Sequence, residues 1–186
     1  MRLLVAIALI FCAKISTAQD IAIRMNEIGS GSYVVLRTGS NFATHIFIGK
    51  SGKHYIVDVV PGRDPNAQDG RSRYYRDANG QSVKWVLPNG NEVTYSPHNC
   101  QRTIGVCNYV ERGRANGKPY RTNMTRTNTP TANGLKFVKA AVFPDGSEHV
   151  IMSGSVVLDQ YGMIKRATRK NEKGSTTFKQ IKAVYR

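Results

Sequence analysis

Short runs rich in Val, Ile, Tyr, Phe and Thr alternate along most of the chain with polar clusters built around Gly, Asn and Asp. The runs have strand length and not helix length, which predicts strands at 32–37, 44–48, 53–60, 82–87, 91–95, 135–143, 148–158 and 163–170. In 176–185, Phe178, Ile181 and Tyr185 would share one helical face, but Thr176, Phe178, Ile181 and Val184 suit a strand, and strand is the reading taken. Asn-Gly pairs at 79, 89, 116 and 133 and Asp-Gly pairs at 69 and 145 tolerate positive φ and are strong hairpin signals.

These turns allow registers to be written. A four-residue turn at 49–52 sets Ile48 against Lys53 and His45 against Ile56; turns at 144–147, 159–162 and 171–174 set Phe143 against Glu148, Leu158 against Met163 and Lys170 against Ser175. The C-terminal part becomes a four-strand meander. Gly154, inside a long run, predicts a bend or bulge that lets the sheet curl. The expected fold class is therefore all-β: a curved antiparallel meander in a single domain, closed as a barrel or folded as a sandwich. Two stretches lack alternation and are read as polar loops, 60–73 and 113–134, the second rich in Arg, Asn and Thr.

The first eighteen residues stand apart. Arg2, the apolar run from Leu3 to Ala13, and Ser16 and Ala18 before Gln19 have the order of a secretory signal peptide, so a mature domain of 19–186 in the periplasm or outside the cell is expected. Phe11 disfavours the alternative of lipidation at Cys12. The apolar run is too short to cross a bilayer, and no later stretch is long enough to be a transmembrane helix. Export also gives the cysteines a meaning. Cys100 and Cys107 would remain, in a compartment where thiols oxidise, and are expected to pair as one local disulfide.

The net charge is +15, and most of the excess lies in the second half. Residues 19–99 carry nine Lys or Arg against seven Asp or Glu; residues 100–186 carry sixteen against five. Such a field attracts polyanions, which makes an anionic envelope component or other polyanion the expected partner. Arg112, Arg114, Lys118 and Arg121, then Lys165, Arg166, Arg169 and Lys170, are the candidate ligand-binding residues. The plain alternative is a solvated basic surface.

Catalytic signals are weaker. In the register above, His45, His54 and Asp58 share one sheet face, where two imidazoles and a carboxylate would suit acid–base hydrolysis of a phosphodiester or glycan. A merely wet face explains them as well. No motif with metal-ligand spacing, nucleophile elbow or phosphate-cradling glycine loop occurs, and no metal or cofactor is expected. His98 flanks the cysteine loop, and His149 alternates along a strand. The loop itself also permits reading as a preorganised protease-inhibitor loop presenting Arg102 or Ile104, although a stapled surface turn is the plainer and preferred reading. Trp85, between Val83 and Leu87, reads as a core residue. The preferred reading is an exported, non-catalytic anion-binding protein, with a small secreted hydrolase second and an inhibitor third.

Overall fold

The computed structural model describes residues 24–186, so the signal-peptide reading of 1–18 lies outside the described residues. Twelve strands run as an antiparallel meander that closes on itself: β1 (Tyr33–Thr38), β2 (Asn41–Ser51), β3 (His54–Pro61), β4 (Ser72–Arg76), β5 (Ser82–Val86), β6 (Glu92–Ser96), β7 (Gly105–Ala115), β8 (Lys118–Thr131), β9 (Gly134–Val142), β10 (Glu148–Leu158), β11 (Ile164–Asn171) and β12 (Gly174–Val184). The seam is the β1–β12 pair, where Tyr33 faces Val184 and Arg37 faces Lys179. Closure satisfies both edges, and it selects the barrel over the sandwich.

Turn chemistry explains the tight connections. Asp77, Asn89, Asp145, Asp159 and Asn171 each accept, through a side-chain oxygen, the backbone N–H two residues on. Gly146 and Gly162 then take positive φ, 83° and 76°. Each of these left-handed residues adds one position to its turn, so Phe143 bonds Ser147, Val142 faces Glu148, and Leu158 faces Ile164. The written registers at these two hairpins are thus one residue out. At 171–174 the expected pairing of Lys170 with Ser175 is found. In the β2–β3 hairpin the turn is at 52–53 and not 49–52, so Ser51 faces His54; with the bulge at 47–49 that follows, this sets His45 against Val59 and not Ile56.

The stretch read as a loop at 113–134 is instead most of the longest hairpin, β7–β8, turning through Asn116 and Gly117, both at positive φ. Its alternation is hidden because both faces are polar: Tyr109, Glu111, Tyr120 and Arg126 line the lumen, while Arg112, Arg121 and Thr127 face outward. Residues 72–73 of the other expected loop begin β4. Gly154 stands in regular pairing with Phe137 and Arg169 and is not a bulge. A Cβ there would lie 2.0 Å from the carbonyl oxygen of Thr168, while the bulges fall at 150–152 and 157–158.

The core is unevenly distributed. At the end where the chain enters and leaves, Met25 and Ile28 pack under Val34, Leu36, Phe47, Tyr55, Val57 and Met163, so a 3-10 turn (Met25–Glu27) fills that part of the lumen. Cys100, Tyr109 and Met124 form a second cluster. On the outer face of β3, fully buried Asp58 accepts hydrogen bonds from Arg71 and Arg73 at 2.6–2.9 Å, tying the 62–71 segment to the wall.

Burial alone would raise the Asp58 pKa, but the hydrogen bonds from Arg73 and Arg71 outweigh it and hold the carboxyl below its ordinary value. A depressed folded pKa contributes stability above the unfolded value, about 3.9, and loses it as pH falls through the folded one. Asp58→Asn is expected to cost about 2–3 kcal/mol at pH 7, because two partly buried guanidinium groups lose their counter-charge and one of its two acceptor oxygens becomes an NH2 donor. In urea titrations the gap from the parent should stay constant above about pH 5 and narrow below about pH 4. A gap independent of pH would contradict this assignment.

Candidate binding site in the barrel lumen

Between the plugged side and the opposite wall lies a cavity of about 380 Å3. β4 and β5 contribute Tyr74, Arg76 and Trp85; β8 contributes Arg126; β11 contributes Arg169; and His45 enters from β2. The rings of Tyr74 and Trp85 stack 5.4 Å apart and only 4° from parallel. Trp85 is therefore a lumen wall and not a closed core residue.

The site is rich in donors and poor in acids. Arg76 is 8% exposed and makes one long hydrogen bond, from Nη1 to the Gly162 carbonyl at 3.3 Å. Arg76 Nε and Trp85 Nε1 are buried N–H groups with no partner. Arg126 donates to the Asn128 side chain and lies 4.2 Å from the Phe137 ring centre; Arg169 lies 5.1 Å from that of Phe178. Among the described residues none of these three arginines has a carboxylate partner. Glu111, the carboxylate lining this cavity, is already engaged by Lys139 at 2.7 Å and by the Tyr120 hydroxyl at 3.0 Å.

Electrostatics bear the imprint of this imbalance. Loss of solvation, then repulsion from Arg76 and Arg169, lowers the His45 pKa to about 3, so the imidazole is neutral at physiological pH. Desolvation lowers Arg126 to about 10, with Arg169 adding to the effect. Arg76 is lowered too, by desolvation. Arg169 thus acts on both His45 and Arg126, and Arg76 on His45, which places the three cations around one shared space. Burial, followed by Glu111, raises Tyr120 to about 12, so it stays a hydroxyl donor.

A lid closes the end of the barrel at which the chain begins and ends. The Cys100–Cys107 disulfide is formed, and Cys100 is 2% exposed. Asn128 on β8 donates to the carbonyls of Cys100 and Thr103, both at 2.8 Å. Gln101 accepts from the Ser82 N–H, and Arg102 reaches the Asn79 carbonyl at 2.6 Å. Arg102 is therefore turned onto the neighbouring hairpin and not presented to a partner, whereas Ile104 is exposed. His98 caps the same region by contacting Asp77 at 3.2 Å.

The residues singled out from sequence are dispersed. His45 faces the lumen, while His54 and Asp58 point to the outer face, so the structure does not bring the three together. The cause is the β2–β3 bulge, since a shift of one residue exchanges the faces of a strand. Arg112 and Arg121 face each other on the outside of the β7–β8 hairpin, whose tip region holds Arg114 and Lys118. Lys165 and Arg166 flank a surface groove beside Asp159 and Tyr185, and β9 and β10 separate them from that hairpin. Of the eight candidate binding residues only Arg169 reaches the lumen. Arg76 and Arg126 are not among the candidate binding residues, although Tyr74-x-Arg76 places an aromatic and a guanidinium on one strand face.

Comparison with known proteins gives no match, whether by family model, by curated sequence or by solved structure.

Removing the Asn128 side chain leaves two buried carbonyls of the lid without donors. Asn128→Ala is expected to destabilise the protein by about 2 kcal/mol or more and to speed amide exchange selectively across 97–104. Unchanged exchange in that segment would contradict the lid assignment.

Proposed function

We propose that this protein is a non-catalytic binding barrel that holds an anionic ligand inside its lumen. The observation that carries this reading is the pair of buried, unpartnered donors, Arg76 Nε and Trp85 Nε1, in a cavity that Arg126 and the solvent-exposed Arg169 also line without carboxylate partners. Buried N–H groups are almost always paired, and an uncompensated buried charge costs several kcal/mol. A carboxylate, phosphate or sulfonate would satisfy both: its oxygens accept from guanidinium and indole, and its charge offsets the three arginines.

The outward arginines and lysines of β7, β8 and β11 have a different role in this reading. They keep the barrel in water and draw anions toward it. Two features support an aqueous setting over a lipid one. The outer faces carry Arg112, Arg121, Arg166 and Lys170, and β4, β5 and β6 have five residues each, whereas a lipid-spanning strand needs about 9–11 residues and an apolar outer band. The paired cysteines fit export to an oxidising compartment.

Trp85 is the single tryptophan of the chain and lines the site, so its emission reports occupancy directly. Titration with inorganic phosphate, acetate and decanoate is expected to give a saturable change with at least one of them. Arg76→Met should weaken that response by roughly 30-fold or more, about 2 kcal/mol. No saturable response to any of the three, or one that survives Arg76→Met, would overturn the reading.

A further inference from the structure

Resting on the lumenal reading above, we infer that the ligand is an amphiphilic monoanion, with its charged group at Arg76 and Trp85 and a compact apolar body against the opposite wall. In the ring of twelve strands, β10 lies diametrically across from β4. The two sides of the cavity differ in kind. β9, β10 and β11 present Leu135, Phe137, Met152, Val156, Leu158 and Ile164 to the lumen, across from the donors of β4 and β5. Three cations adjoin this wall: Lys139 on β9, which is held by Glu111, Arg126 on β8, which lies over the Phe137 ring, and Arg169 on β11, which lies over that of Phe178.

A fully hydrated anion, such as free phosphate, would use the donors and leave the apolar wall wet. Burying that wall against a ligand gains roughly 25 cal/mol per Å2 of apolar surface removed from water, a gain that a polar anion forgoes. An uncharged apolar molecule would do the reverse and strand the arginines. Volume limits the size. At about 380 Å3 the cavity lies at the small end of pockets that take small molecules, which suits a medium-chain or single-ring acid.

The test compares five probes by Trp85 emission and calorimetry on the intact protein: decanoate, 4-phenylbutyrate, acetate, inorganic phosphate and decanol. At least one of the two amphiphilic acids is expected to bind tenfold or more tighter than acetate, phosphate and decanol, with a markedly more negative heat-capacity change than acetate gives. Relative strength of decanoate and phenylbutyrate tells an alkyl from an aryl body. Met152→Gln and Val156→Gln, each checked for an unchanged melting transition, should weaken the preferred acid severalfold and leave acetate or phosphate binding as it was. The heat-capacity comparison needs no variant and decides the matter even when both fail to fold. Acetate or phosphate binding as tightly as either acid, in an Arg76-dependent way, would overturn the amphiphile and leave the lumenal anion site standing. Decanol matching decanoate, or Arg76→Met binding decanoate unchanged, would overturn both.

Discussion

Twelve strands are too many for side chains of ordinary size to fill the barrel they enclose. Eight strands leave an interior that side chains just pack, and sixteen leave a water-filled channel. This barrel lies between, and its interior is divided accordingly. Met25 and Ile28 fill one part from the terminal end, the disulfide-stapled 97–104 segment covers that end, and the remainder is a cavity with polar and apolar sides. The lid and the plug close part of the space that a sheet of this width encloses.

Within that cavity the sequence places a cost where a core would have a gain. A methionine or leucine at position 76 would fill space without a desolvated charge, and hydrophobic replacements of buried ions are often neutral or stabilising. Arg76 instead retains an unpartnered Nε–H beside an unpartnered Trp85 indole. In the proposed reading this cost serves a ligand, and the site contrasts with the Asp58 cluster on the outer wall. There each guanidinium meets the Asp58 carboxylate, although Arg71 Nε is also a buried N–H without a partner, and the interaction pins a loop.

Period-two alternation made the all-β class legible, along with most strands whose lumen side is apolar. Phe47, Tyr55 and Val57 in β2 and β3 announce themselves in this way. β7 and β8 stayed hidden because a polar lumen and a polar exterior cancel the alternation: Glu111 and Arg126 inside are matched by Arg112 and Thr127 outside. Registers failed where a glycine at positive φ or a bulge inserted one residue, as at Gly146, Gly162 and the 47–49 bulge, and each slip reverses which face a side chain meets. For that reason the His45, His54 and Asp58 grouping dissolved, and the lumenal arginines, which the chain scatters over positions 76, 126 and 169, were invisible until closure gathered them. Composition drew attention to the basic outer surface, whereas the buried arginines without carboxylate partners lie inside.

The most direct test of this account is equilibrium unfolding of the parent and of Arg76→Met in anion-poor buffer. If Arg76 serves a ligand, the variant should be as stable as the parent or more stable, since it loses an uncompensated buried charge and keeps the volume. A destabilisation of about 2 kcal/mol or more would show that Arg76 holds the barrel together, and would contradict its assignment to binding.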